Sequence, residues 1–117
     1  MTINGSTKDD TLSAGSQISI TLGVQANNWL GVACDYFVYC VVPSGKTYFL
    51  NTSAQWQLLM SAAYEGNSVD VSGYIVPNIS SIYEGKGTYT FYFTMDNSQN
   101  GVMDGTQVTT SVRAIVQ

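Results

Sequence analysis

The sequence predicts an all-β fold, and three observations carry that expectation. Residues Gly87–Met95 alternate, with Tyr89, Phe91, Phe93 and Met95 on one face and Thr88, Thr90, Tyr92 and Thr94 on the other. That is the period of a strand with one face in a core and one toward water. Comparable short runs recur along the chain, separated by Gly, Pro, Asn and Ser turn signals at intervals typical of a sandwich. No helical period is sustained, and no internal repeat is visible. These observations converge on an immunoglobulin-like antiparallel β-sandwich of about seven strands with Greek-key wiring, a small barrel being the alternative.

Residues 1–15 are polar, carry Asp9-Asp10, and read as an N-terminal arm or edge strand ahead of a single sandwich domain over 16–117. Ile18, Ile20, Leu22 and Val24 alternate with smaller polar residues, a half-buried strand, and Asn27-Asn28 then marks a turn. Val32–Val42 is apolar or aromatic on both faces except at Asp35, the pattern of a central strand covered on both sides. Pro43-Ser44-Gly45 supplies turn residues, and Lys46–Leu50 completes a hairpin. Gln55–Met60 reads as a strand carrying Trp56, Leu58 and Met60, or in its second half as a helical turn. Glu65–Ser68 reads as a chain break, Val69–Val76 as a strand, and Ile79–Gly85 as a crossover with an apolar anchor or two. The Gly87–Met95 strand and a 96–106 loop follow, and Gln107–Val116 closes the chain with Val108, Val112, Ala114 and Val116 on one side.

Composition narrows the function. The chain has 117 residues, 44% of them hydrophobic but only 10% charged, so Ser, Thr, Asn and Gln must supply the polar surface. The net charge is −4, and Lys8, Lys46, Lys86 and Arg113 are scattered. No basic stripe exists to neutralise phosphates, which disfavours nucleic acid and anionic membranes alike. No apolar run approaches the roughly 20 residues of a membrane helix, so membrane insertion is not expected. The start, Met1–Ser6, lacks the basic and apolar regions of a signal peptide and reads as the beginning of a fragment of a longer or processed chain.

Chemistry-bearing residues are few. Cys34 and Cys40 lie six apart in one predicted strand, which separates their Cα atoms by about 20 Å at roughly 3.3 Å per residue. A disulfide needs less than about 7 Å, so they read as buried thiols. The chain has no histidine, nucleophile elbow or phosphate-cradling loop, and no catalytic residues are expected. Asp35 with Asp70 or Glu84 is the one pairing that evokes a glycosidase, but a lone buried acid more often serves as a hydrogen-bonding strut. Asn4, Asn51 and Asn78 begin glycosylation triplets of the kind that arise by chance in such a composition.

The 96–104 loop matches part of a calcium loop. Asp96, Ser98 and Asn100 fall at alternate positions, Gly101 sits at the sharp turn, Val102 offers a carbonyl and Asp104 follows two residues later. Gln107 stands where such loops carry a bidentate glutamate, and the flanks are strands rather than helices. Calcium, weakly held, is the cofactor this reading implies. Turn geometry alone is the competing account of the same residues.

Ala33-Cys34-Asp35-Tyr36-Phe37-Val38, the Pro43-Ser44-Gly45 turn, Trp56 and Gly87-Thr88-Tyr89-Thr90-Phe91-Tyr92-Phe93 stand in a suggestive order. That order resembles an uncharacterised β-sandwich module attached to bacterial surface and secreted proteins. The likeness spans roughly residues 16–117 and is most specific at the Tyr/Phe strand and its Asp/Asn-Gly loop. Tyr36-Phe37 stand where the family more often has tryptophan. The resemblance implies a non-catalytic accessory domain.

Eight tyrosines and two tryptophans exceed what a core of this size takes in. Trp29, Trp56, Tyr39 and Tyr48 are the expected ligand-binding residues, because flat rings stack on sugars and low charge suits a neutral ligand. The structural account places tryptophan in the core and tyrosine on sheet faces. The expectation is therefore a non-catalytic, secreted or cell-surface binding module for polysaccharide. The alternative is a spacer or subunit of an extracellular assembly whose strand edges meet neighbouring surface-protein domains.

Overall fold

The structure, a computed structural model, describes residues 1–3, 9–13, 18–25, 30–77, 79–105 and 107–117. It is all-β. The strands are β1 (Thr2–Ile3), β2 (Asp10–Leu12), β3 (Ile20–Val24), β4 (Ala33–Val41), β5 (Thr47–Leu50), β6 (Trp56–Gln57), β7 (Tyr64–Asn67), β8 (Val71–Ile75), β9 (Gly87–Asp96) and β10 (Gln107–Val116). A 3-10 turn, Ile79–Ile82, precedes β9 and buries both isoleucines. The larger sheet has seven strands in the order β2-β10-β9-β4-β5-β6, with β7 also paired to β4; the smaller is β1-β3-β8.

Period-two patterning explains why the two sheets pack. Ile20, Leu22 and Val24 of β3 face Tyr36, Val38 and Cys40 of β4, Tyr89, Phe91 and Phe93 of β9, and Val112, Ala114 and Val116 of β10. Each fully buried large apolar side chain stabilises by about 1.5–3 kcal/mol, and alternation delivers this whole set to one side. Tyr89 adds a specific lock. Its ring is fully buried, its hydroxyl accepts the Glu84 N–H at 2.8 Å and donates to the Gly85 carbonyl at 2.7 Å. That is the tyrosine corner of immunoglobulin-like sandwiches, at the start of the strand after the sheet-to-sheet crossover.

The β4–β5 hairpin forms as expected. Gly45 takes φ +91°, its N–H reaches the Val42 carbonyl at 2.9 Å, and Val42 in turn donates to Lys46. Only glycine enters that left-handed region without strain. Gly87 is constrained differently: a Cβ there would stand 2.6 Å from the Pro43 ring, so β9 passes the hairpin turn only without a side chain.

The structure departs from expectation at several elements. Ten strands form among the described residues rather than about seven, because short segments add to edges wherever a neighbour offers free backbone groups. The sheets are not wholly antiparallel, since β2 runs parallel to β10 through Asp10–Leu12 and Ala114–Val116. The N-terminal region thus contributes a strand to each sheet. Glu65–Ser68 is not simply a break: Tyr64–Asn67 pairs with β4 through Tyr36↔Tyr64, Asp35↔Glu65 and Cys34↔Gly66. The Gln55–Met60 strand shrinks to Trp56–Gln57. Val108 is 53% exposed, because the core that buries Val112, Ala114 and Val116 on the same face of β10 does not extend to it. The turn at Asn27-Asn28 lies outside the described residues.

Candidate functional site

Residues on the side of the larger sheet turned away from β1-β3-β8 form the principal candidate. Strand alternation puts Asp35, Phe37 and Tyr39 of β4 there, opposite Asp96, Thr94 and Tyr92 of β9. Gln107, Thr109 and Ser111 of β10 continue the rows. At mid-sheet the aromatic rings line up across the strands. Tyr39 stacks on Tyr92 with centroids 4.9 Å apart and planes 11° apart, and Phe49 of β5 lies against Tyr39 at 5.3 Å. Tyr39 and Tyr92 are half-buried. A row of hydroxyls flanks them: Tyr39 Oη and Thr94 Oγ1 lie 3.3 Å apart, and Thr94 Oγ1 bonds Thr109 Oγ1 at 2.9 Å. The Tyr39 ring is covered on both faces by its neighbours, so the edges of the rings and the far side of Tyr92, toward Ser111, are what the row presents.

One end of this face is roofed by the 97–105 loop, and two fully buried carboxylates hold the roof down. Asp35 and Asp96 are direct cross-strand partners. Asp35 Oδ2 accepts the N–H groups of Asn100 at 3.2 Å and Gly101 at 2.8 Å. Asp96 accepts the N–H groups of Ser98 at 2.8 Å and Gly105 at 3.1–3.2 Å. The loop therefore wraps its amides around two carboxyl groups, and Phe37, Ala62 and Met103 pack together on the same face.

The five residues read as calcium ligands are used within this arrangement. Asp96 and Ser98 bond each other as above, Asn100 donates to Asp104 at 2.7 Å, and the Val102 carbonyl accepts the Asp104 N–H at 3.1 Å. Hydrogen bonding from Asn100 and then Ser98 holds the Asp104 carboxyl below its usual range. Among the described residues, no group of three or more Asp, Glu, His or Cys gathers around one point.

The expected aromatic binders do not converge. Tyr39 lies on the outer face, whereas Tyr48 and Trp56 pack toward the core between the sheets. Trp29 lies outside the described residues. Asn51 is occupied by its own turn, accepting from Ser53 and Gln55, and the Asn4 and Asn78 triplets begin outside the described residues. Glu84 is bound to Ser44 through two 2.8 Å hydrogen bonds at the β4–β5 turn, which lower its pKa, while Asp35 sits under the loop. Both thiols are buried and free. Burial pushes Cys40 up to about 12, with the Glu84 charge adding. It also raises Cys34, beside Asp35 and Asp96. Neither is a nucleophile at neutral pH.

Sequence reading missed the Tyr92 partnership and the Asp35–Asp96 pair. Both depend on the β4–β9 register, which places Tyr39 opposite Tyr92 and Asp35 opposite Asp96 only once the strands are paired in that way. The exposed run Leu58-Leu59-Met60 was masked by an assigned strand. No protein-family model matches the sequence, and comparisons with curated proteins and with solved structures give no significant match.

Proposed function

We propose that this chain is a non-catalytic, secreted or cell-surface binding module that takes a neutral polysaccharide across the outer face of its larger sheet. The observation that carries the reading is the half-exposed Tyr39–Tyr92 stack beside the Thr94–Thr109 hydroxyl row. Ring edges give apolar contact to sugar C–H groups, and the exposed Thr109 and Ser111 hydroxyls suit sugar hydroxyls, while the buried Thr94 hydroxyl holds Thr109 in place. The scarcity of charge, 10% of residues, fits an uncharged ligand. The extracellular placement rests on composition and on the resemblance to surface modules.

Affinity electrophoresis in gels containing soluble β-glucan, xylan, galactomannan or starch tests this. Wild-type protein is expected to be retarded by at least one polymer, and Tyr92→Ala to migrate freely with its fold intact. Unretarded migration of the wild type in all four gels would refute the reading.

One observation favours a second reading, an assembly module. Leu58, Leu59 and Met60 are 57%, 79% and 44% exposed, three consecutive large apolar side chains. Contiguous exposed apolar surface of this kind marks protein contacts. A sedimentation series showing oligomers that Leu59→Ser dissolves supports that reading instead.

A further inference from the structure

We propose that the space between the two sheets, beneath the chain crossing from β7 to β8, is a binding site for one small uncharged aromatic molecule. This site is on the opposite side of β4 from the tyrosine row and stands independently of the polysaccharide reading. Its volume is about 250 Å³. Leu22, Val38, Leu50 and Phe93, each no more than 5% exposed, form the floor. Tyr36, Val71 and Tyr74 wall it, and Ala63, Tyr64 and Val69 surround the mouth, where Tyr64 is 37% and Val69 42% exposed.

The site exists because the smaller sheet is too narrow. β8 is the last strand of its sheet, and among the described residues no strand continues beyond it to cover the inner face of β4 and β5. Residues 68–70 bridge the gap instead, and they are pinned rather than free to sink inward. Tyr36 Oη donates to the Val69 carbonyl at 2.7 Å and accepts the Val69 N–H at 2.9 Å. Ser68 N–H bonds the Val32 carbonyl at 2.8 Å, and the Ser68 carbonyl accepts the Gly31 N–H at 3.1 Å. The bridge acts as a bracket that keeps the space open.

The lining sets the ligand class. Among the described residues, no charged side chain lines the space. The Tyr36 hydroxyl is committed to Val69, and the Tyr64 hydroxyl donates to the Asn67 carbonyl at 2.7 Å. An apolar cavity of this kind repels water and takes apolar guests. A charged guest would lose its hydration without a partner. The aromatic walls are already arranged edge to face, Tyr36 against Phe93 at 5.4 Å and 83°, and tilted, Tyr36 against Tyr64 at 5.1 Å and 51°. A further ring entering that set finds the geometries that aromatic pairs prefer.

A titration of methyl-labelled protein with toluene, with indole and with benzoate, followed by NMR, tests the proposal. Toluene and indole are expected to shift the methyls of Leu22, Val38, Leu50 and Val71 saturably, and to raise the melting temperature; benzoate is expected to do neither. Ala63→Trp, which fills the mouth, is expected to abolish the shifts. Val69→Asp, at a 42% exposed position whose contacts to Tyr36 are made by its backbone, is expected to weaken toluene binding at least tenfold, and it serves if the tryptophan variant fails to fold. Absence of saturable shifts with both neutral probes overturns the site. So does an equal response to benzoate, an unchanged response in Val69→Asp, or movement of the same methyls with protein concentration alone, the signature of a partner's side chain.

Discussion

Asp35 interrupts an otherwise apolar strand, and its carboxylate is what the 97–105 loop folds onto through the Asn100 and Gly101 amides. Asp35→Ala takes the acceptor from two part-buried donors, so a loss of about 1–3 kcal/mol in urea unfolding is expected. Hydrogen exchange at Asn100 and Gly101 should accelerate. If neither measurement moves, Asp35 does not hold the loop. Tyr89→Phe leaves the Glu84 N–H and Gly85 carbonyl unpaired and is expected to cost about 1–3 kcal/mol. Trp56 behaves oppositely. Its Nε1 is buried without a hydrogen-bond partner among the described residues, so Trp56→Phe removes an unsatisfied donor along with some apolar area. The two effects oppose, and the change is expected to stay within about 1 kcal/mol. A larger loss would mean that the indole N–H has a partner in solution.

At the scale of elements, much was legible and the omissions have physical causes. β9 was readable because Tyr89, Phe91, Phe93 and Met95 keep strict alternation and all four are buried. The β4–β5 hairpin was readable because Pro43-Ser44-Gly45 has the residues its turn conformation demands. β7 was not, because Tyr64-Glu65-Gly66-Asn67 is exposed and carries turn residues; its strand form comes from pairing with β4, a tertiary cause. The tyrosine row and the paired aspartates escaped for the same reason, since cross-strand partners are invisible until register is fixed. In the 97–105 loop, sequence spacing matched part of a calcium site, and the loop's own amides and side chains engage the same residues. A weak calcium site there predicts a higher melting temperature in millimolar calcium than in chelator, because a ligand of the native state must stabilise it, whereas turn geometry alone predicts no difference.

For the molecule as a whole, the sandwich favours the proton-bound form of both thiols and of the Tyr36 and Tyr89 phenols. Burial raises Cys40 from 9.0 to about 12 and also raises Cys34, Tyr36 and Tyr89. A raised folded-state pKa means that the unfolded chain releases these protons first as pH climbs. Stability is then complete below the unfolded values and falls as pH rises from about 9 toward about 12. Cys40→Ala is expected to flatten that alkaline decline, as read from urea midpoints across the range. An unchanged slope would remove Cys40 from the account. No helix among the described residues is long and apolar enough to cross a membrane. The two sides of the larger sheet then carry separate tasks: the inner side supplies core and cleft, and the outer side supplies the tyrosine row. Backbone-amide NMR mapping with a soluble oligosaccharide from whichever polymer retards the protein is the most direct test of that outer-face assignment. Shifts confined to Tyr39, Tyr92, Thr94, Thr109 and Ser111 are predicted. Shifts that instead cluster at Leu58–Met60 and spare Tyr92 would contradict it.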